Sequence, residues 1–280
     1  MKNFYKRICA LSVVTFIVTS LFALDFSPAE EKMVEDIFSF RLSLRSCKDE
    51  DESIGKINDY CLNIKDKIES FSQEAQITCR NLLASSKYNC EYSKDMKSPN
   101  MEKILRPSFE EIINYMELQP SKNFNPWFVL SSADVINSMM QFLPQTDSIK
   151  YGLQEKKDYA KVIEENPNLS YAYTLSGWWY YYAPAVGGGS KSKAKTFFFD
   201  ALKNASSDYD RFYSNINYGQ FLFEEKKFEE CEKYMKEADS VLEGTSYVSF
   251  IKKINDLGYS LFDYNMNSRR VKINEKLNGK

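Results

Sequence analysis

The chain contains no histidine among its 280 residues. This absence excludes Ser-His-Asp and Cys-His catalysis, imidazole general bases and histidine-ligated metals, and with them most common hydrolases and metalloenzymes. Glycine (10 residues) and proline (8 residues) are also scarce, which is expected of a chain that is mostly helix. With 43% apolar and 27% charged residues, the chain can build a folded core.

The net charge at neutral pH is only −2, so the sequence does not favour nucleic acid as a partner. At the N-terminus, a basic start (Lys2, Lys6 and Arg7) precedes an apolar run that ends at Ala23. This pattern predicts a secretory signal over residues 1–23 and a periplasmic or secreted protein. The alternative is an uncleaved membrane anchor, which needs about 20 apolar residues. No later stretch could span a bilayer.

Export changes the interpretation of the cysteines, because thiols oxidise outside the cytoplasm. Cys47, Cys61, Cys79 and Cys90 lie close together in the sequence. If helices over 53–69 and 74–93 reverse near residues 70–72, nested Cys61–Cys79 and Cys47–Cys90 disulfides are expected. There are two alternatives. The segment could form one continuous helix, which would leave three of the thiols on one face without partners, or the four thiols could be buried and reduced. No Cys-x-x-Cys spacing points to redox catalysis.

Capping signals and prolines divide the chain into segments. The Ser27-Pro28-Ala29-Glu30 capping box predicts a first helix over 28–46. The prolines at 99, 107, 120 and 126 predict a linker with one short helix, 108–118. The predicted organisation is a cysteine-rich helical region (24–98), the linker (99–124), helical hairpins with a capping helix (125–262) and a fraying polar tail (263–280).

Two segments repeat a spacing of apolar and small residues. Ala194, Phe198 and Ala201 are separated by four and three positions, and Cys231, Met235 and Ala238 repeat those steps. This pattern resembles the tetratricopeptide repeat, in which small residues lie where paired helices approach closely. The resemblance implies an all-α fold, a TPR-like α-solenoid. The expected helix pairs are 170–182 with 191–204 and 209–224 with 227–242; a third, more degenerate copy begins near residue 125.

An aromatic run, residues 178–182, leads into the glycine-rich turn 183–189 and then Lys193-Ala194. This segment resembles the helical-repeat proteins that accompany tripartite ATP-independent periplasmic transporters. The resemblance implies an exported protein that works with a periplasmic solute-binding protein. Members of that family are usually lipoproteins, whereas this chain has no cysteine at the lipidation position. The turn is not a phosphate loop, because a helix precedes it; Ser190 is expected to begin the next helix.

In tetratricopeptide proteins the first helix of each hairpin lines a concave surface. Carried over to this chain, the resemblance implies a binding face formed by Tyr173, Gly177, Tyr180, Tyr213, Ile216, Gln220 and Phe223. Such an apolar and aromatic groove suits a peptide segment, a lipid-like ligand or another subunit. Five consecutive aromatic residues cannot all face inward, because successive residues on a helix point about 100° apart.

The sequence therefore predicts an exported, non-enzymatic scaffold that binds a protein partner, for instance a periplasmic solute-binding protein. The alternative is a carrier of a hydrophobic small molecule in a tunnel between hairpins or subunits, and a homo-oligomer stays open. No catalytic residue, metal or cofactor is predicted. Glu164, Glu165, Glu224 and Glu225 belong to predicted solvated faces and have no companion nucleophile.

Overall fold

A computed structural model describes residues 26–279. The predicted signal, residues 1–23, lies outside the described residues. Within 26–279 the chain forms thirteen α-helices and no strand, so the all-α prediction is confirmed. The helices are α1 (Pro28–Ser43), α2 (Glu50–Glu69), α3 (Gln73–Lys94), α4 (Asn100–Glu117), α5 (Pro126–Met139), α6 (Gln145–Glu165), α7 (Ser170–Tyr182), α8 (Lys191–Lys203), α9 (Asp208–Glu224), α10 (Phe228–Val241), α11 (Ser246–Asp256), α12 (Leu261–Tyr264) and α13 (Asn267–Leu277).

None of the described helices combines the length and the apolar character that crossing a bilayer requires. The first helix begins at the predicted capping box. The Ser27 N–H donates to Glu30 Oε2 at 2.7 Å, and the Glu30 N–H donates to Ser27 Oγ at 3.4 Å. Glu30 Oε1 accepts a further bond of 2.6 Å from the Ser72 N–H, which ties the start of α1 to the turn between α2 and α3.

The hairpin of α2 and α3 forms with its reversal at the predicted position, but the predicted disulfides are absent. Cys47, Cys61, Cys79, Cys90 and Cys231 are all free thiols in this part of the chain. An antiparallel pairing brings residues to the same height, whereas a disulfide also requires Cβ atoms about 4 Å apart. Cys79 instead belongs to the hydrophobic core and is fully buried.

The predicted linker is wrong in its main feature, because α4 is 18 residues long and begins at Asn100. It contains Pro107, which costs one backbone hydrogen bond in a helix interior. Met101, Leu105 and Ile112 are nevertheless almost fully buried, and α4 packs against α3 and α5. Burial of this apolar face outweighs the cost of the proline.

The helices on both sides of the predicted linker share one core. α1 packs against both α3 and α9, and the largest cluster of buried residues runs from Ile37 through Cys79 and Tyr171 to Ile254. The C-terminal segment also joins this core. Residues 263–280 were expected to fray, yet α13 buries Ile273 there.

The four hairpin helices form within one residue of their predicted ends, and they pair as expected, α7 with α8 and α9 with α10. Small residues lie where the helices meet. A side chain added at Gly177 would overlap the ring of Phe198, and one added at Gly219 would lie 3.2 Å from Tyr234 Cβ. The expected capping helix is shorter than predicted, ending at Asp256.

Candidate functional site

The helices surround a cavity of about 1040 Å³. Its wall combines the end of α1 and the following turn with parts of α3, α5, α6, α7, α9 and the C-terminal helices α11–α13. The lining is rich in tyrosine and contains the guanidinium groups of Arg41, Arg45 and Arg270. Residues from distant parts of the sequence therefore form one site.

The aromatic run at the end of α7 divides between the cavity and the protein interior, because consecutive positions on a helix point about 100° apart. Trp178, Trp179 and Tyr182 line the cavity. The rings of Trp178 and Tyr182 stack at 5.6 Å, and Trp179 Nε1 donates to the Gly152 carbonyl at 2.8 Å. Tyr181 packs instead on Phe262, with ring centroids 4.3 Å apart. The cavity therefore has one rigid aromatic wall.

Of the seven residues predicted for the binding face, Tyr213 alone lines this cavity. The rings of Tyr180 and Phe223 pack on neighbouring helices, at 5.1 Å from Phe197 and 5.3 Å from Phe228. The Tyr173 hydroxyl donates to the Pro167 carbonyl at 2.9 Å.

The other three predicted residues, Gly177, Ile216 and Gln220, are buried inside the fold. The Gln220 side chain donates to Asn255 Oδ1 and accepts from the Leu261 N–H, both at 2.8 Å. On α7 the predicted face is rotated by about one residue, because Gly177 faces Phe198 within the hairpin.

The glycine-rich turn after α7 is a helix connection, as predicted. The Ser190 side chain accepts from the Lys193 N–H at 3.3 Å and caps α8. Gly188 adopts a left-handed conformation with φ of 97°, which glycine accommodates without a steric penalty. Gly189 lies against the Ala183 carbonyl, where a Cβ atom would overlap that oxygen.

The sequence analysis missed the arginines of the cavity. Arg41 is about nine-tenths buried and lies 3.7 Å from Asp134 Oδ2. The rings of Phe38 and Tyr209 are 5.3 and 5.4 Å from its guanidinium carbon. Arg41 Nη1 has no hydrogen-bond partner among the described residues. The sequence does contain a sign of this burial, because Arg41 lies four positions after Ile37, on the apolar face of α1.

Arg45 and Arg270 contact aromatic rings. The Arg45 guanidinium lies 4.0 Å from the ring centre of Tyr247, and its Nε donates to the Tyr213 hydroxyl at 2.7 Å. Arg270 lies 4.5 Å from the ring centre of Tyr264 and 4.8 Å from that of Tyr92. Neither forms an ion pair within 4.0 Å in the described part of the chain.

A carboxyl group is also buried in the wall. Glu155 of α6 is 3% exposed, and its Oε1 has no hydrogen-bond partner within residues 26–279. Burial, together with the charges of Asp134 and Asp158, raises the pKa of Glu155 to about 8. The carboxyl group is therefore mainly protonated and neutral at pH 7.

The lining offers binding groups, and its Cys90 thiol is not activated. Burial raises the pKa of the Cys90 thiol to about 11, which keeps this lining residue protonated. No group of three Cys, Asp or Glu side chains suited to a metal ion occurs in the described residues. Aromatic surfaces, hydroxyl groups and guanidinium groups can hold an organic ligand.

The resemblance to tetratricopeptide proteins and to the transporter-associated proteins stays a prediction. Helix pairing agrees with a hairpin architecture, but it does not identify a repeat family. No family model matches the chain, and no curated protein is significantly similar to it.

Proposed function

We propose that the protein is an exported, non-enzymatic binding protein that takes up an organic ligand in its central cavity. The observation that carries this proposal is the partly open cavity of about 1040 Å³ beside the aromatic wall of α7. Sites for small organic ligands usually have volumes of about 300 to 1,000 Å³. Export rests on the signal pattern of residues 1–23. The volume of this cavity thus favours the small-molecule alternative over the protein scaffold.

The aromatic wall suits a ligand with a flat or apolar body. Trp178 and Tyr182 are parallel within 12°, and the hydrogen bond from Trp179 Nε1 to the Gly152 carbonyl holds a second indole in place. Rings fixed in this way lose little conformational entropy when a ligand packs against them. The ligand body is expected to lie against this wall.

The test is a titration with the neutral fluorescent probe N-phenyl-1-naphthylamine. We expect saturable binding of one probe per chain, and weaker binding in Tyr182→Ala, which removes a ring of the wall. Phe199→Ala is the matched control, since Phe199 is exposed to a similar extent (41% against 37%) and lies outside the cavity lining. Absence of saturable binding, or a loss only in Phe199→Ala, would contradict the proposal.

A second candidate function is the scaffold that binds a protein partner, such as a periplasmic solute-binding protein. Ile149 and Leu153, one turn apart on α6, line the cavity yet are 57% and 47% exposed. Val186 is 98% exposed in the turn whose Pro184 and Gly187 also line it. Exposed apolar side chains at a cavity edge are typical of a contact surface for another protein.

A triple variant, Ile149→Ser with Leu153→Ser and Val186→Ser, tests this second function. Cross-linking in a cell-envelope extract should capture a stoichiometric protein with the wild type and lose it with the triple variant. The double variant Leu62→Ser with Leu118→Ser removes exposed apolar side chains elsewhere and should keep that protein. Equal capture by all three proteins would exclude this surface as the contact.

A further inference from the structure

We infer that Arg45 and Arg270 form an oxyanion subsite in the cavity, so that the ligand is an organic anion carrying a carboxylate, sulfonate or phosphate group. This inference rests on the proposed function, because it identifies the chemistry of the ligand that the cavity takes up. The two residues come from opposite ends of the described chain, Arg45 from the turn after α1 and Arg270 from α13. Both line the cavity.

The two positive charges have no carboxylate counterion within 4.0 Å in the described residues. Burying a charge costs several kcal/mol unless a partner compensates it. Arg270 is only 3% exposed, and neither it nor Arg45 has a carboxylate oxygen within 4.0 Å in residues 26–279. The rings of Tyr247, Tyr264 and Tyr92 provide cation–π contacts to these guanidinium groups, which contribute about 0.5 to 2 kcal/mol each. An anionic ligand would complete the compensation.

Most N–H donors of the two guanidinium groups remain available. A guanidinium group carries five N–H donors. Arg45 donates from Nε to the Tyr213 hydroxyl at 2.7 Å, and Arg270 donates from Nη2 to the Ser93 carbonyl at 3.3 Å. These are the hydrogen bonds that the two side chains make within the described residues. The remaining donors of each planar fork match the two oxygens of a carboxylate or the oxygens of a phosphate.

Arg45, Arg270, Tyr247 and Tyr264 line the same cavity. Arg45 lies over Tyr247, whereas Arg270 lies over Tyr264. Burial raises the pKa of Tyr247, and the positive charges of Arg45 and Arg270 both oppose that rise. The Thr245 hydroxyl donates to the Arg45 carbonyl at 2.8 Å, which fixes the turn against the start of α11.

Of the five carboxyl groups in the lining, four are engaged or neutral, whereas Glu50 at the start of α2 forms no ion pair within 4.0 Å in residues 26–279. Asp49 accepts from the Glu52 N–H at 2.8 Å. Asp134 accepts from the Tyr171 hydroxyl at 3.3 Å and faces Arg41. Asp210 accepts from the Ser207 hydroxyl at 2.8 Å, and Glu155 keeps its proton at neutral pH. Arg41 faces Asp134 at 3.7 Å, whereas Arg45 and Arg270 have no carboxylate oxygen within 4.0 Å in the described residues.

The experiment compares two probes that differ by one charged group. 8-Anilinonaphthalene-1-sulfonate carries a sulfonate, and N-phenyl-1-naphthylamine is the same aromatic body without it. We expect the wild type to bind the sulfonate probe at least about tenfold more tightly, a difference of about 1.4 kcal/mol. Arg45→Gln and Arg270→Gln should each weaken binding of the sulfonate about tenfold and change binding of the neutral probe less than about twofold.

Matched variants separate loss of the subsite from loss of the fold. Arg106→Gln removes the same charge from α4, which contributes no residue to the cavity lining, and should leave both affinities unchanged. Arg270→Lys keeps the charge of a buried side chain but loses the planar fork, so its affinity for the sulfonate should lie between those of the wild type and Arg270→Gln. Far-ultraviolet circular dichroism and binding of the neutral probe report whether each variant folds.

The outcomes distinguish the two proposals. If the neutral probe binds but the sulfonate is not preferred, or if the glutamine variants bind the sulfonate as tightly as the wild type, the oxyanion subsite is wrong and the cavity function stands. If neither probe binds, the proposed function itself fails. Competition by benzoate or phenyl phosphate, but not by benzyl alcohol, would support the subsite and identify which oxyanion it prefers; equal competition by benzyl alcohol would contradict it.

Discussion

Replacing Glu155 by glutamine removes the buried ionisable carboxyl group from the cavity wall. In the folded protein the pKa of this group is about 8, whereas in the unfolded chain it titrates near pH 4.3, to within about a unit. Between these values the folded state keeps a proton that the unfolded state has lost. The folded protein consequently loses stability as the pH rises through this window, because the unfolded state binds fewer protons.

The size of the effect follows from the shift. Each pH unit within the window lowers the free energy of unfolding by about 1.4 kcal/mol, and the full penalty above about pH 8 is about 5 kcal/mol. From about pH 5.5 to about pH 7.5, the wild type should lose about 3 kcal/mol relative to Glu155→Gln. Below about pH 4.5 the carboxyl group is protonated in both states, so this difference disappears.

Urea unfolding followed by far-ultraviolet circular dichroism measures the free energy of unfolding at each pH. Asp158 and Asp210 also have raised pKa values because they are buried, so the relevant quantity is the difference between wild type and variant. Glu164→Gln changes an exposed carboxyl group on the same helix and should follow the wild type. If Glu155→Gln also runs parallel to the wild type between those pH values, Glu155 is ionised in the folded protein and our reasoning is refuted.

Two further predictions concern packing and thiol chemistry. Gly177→Ala should destabilise the protein by about 1 to 3 kcal/mol, because the added Cβ overlaps the fully buried Phe198 ring. Gly55→Ala has open space at its Cβ and should stabilise the protein by about 0.5 to 1 kcal/mol. Equal melting temperatures of the two variants would contradict this packing. Burial raises the pKa values of Cys79 and Cys231 to about 12 and about 11, so iodoacetamide at about pH 8 should modify these two thiols only after unfolding, as peptide mass mapping would show. Modification of either thiol in the native protein at the rate of the unfolded chain would overturn that assignment.

The sequence was sufficient to predict the hairpins, because small and aromatic residues at steps of four and three mark the contact between paired helices. It failed where composition gave the opposite signal. Pro107 argued against a helix that burial of Leu105 and Ile112 stabilises. The polar residues around Ile273 concealed α13, which buries Ile273 and packs Leu277 against the core.

The candidate site was less accessible to sequence reasoning than the fold. The orientation of α7 depends on the contact between Gly177 and Phe198 of the next helix, and a shift of one residue turns a helix face by about 100°. The arginines gave little signal for a different reason. Arg45 and Arg270 obtain their surroundings from tyrosines that lie far away in the sequence, so only the assembled fold brings them to one cavity.

The packing of α1 against α9 affects how the protein can fold. In an open solenoid each repeat contacts only its neighbours, so repeats can fray, be deleted or be duplicated independently. Here the Arg45 carbonyl accepts from Thr245, 200 positions further along the chain. During synthesis on the ribosome, α1 cannot pack against α9 until α9 has been made, and deletion of a hairpin between them would change their spacing. The cavity, whose wall includes Arg41 of α1 and residues of α11–α13, is thus completed only when these late helices dock.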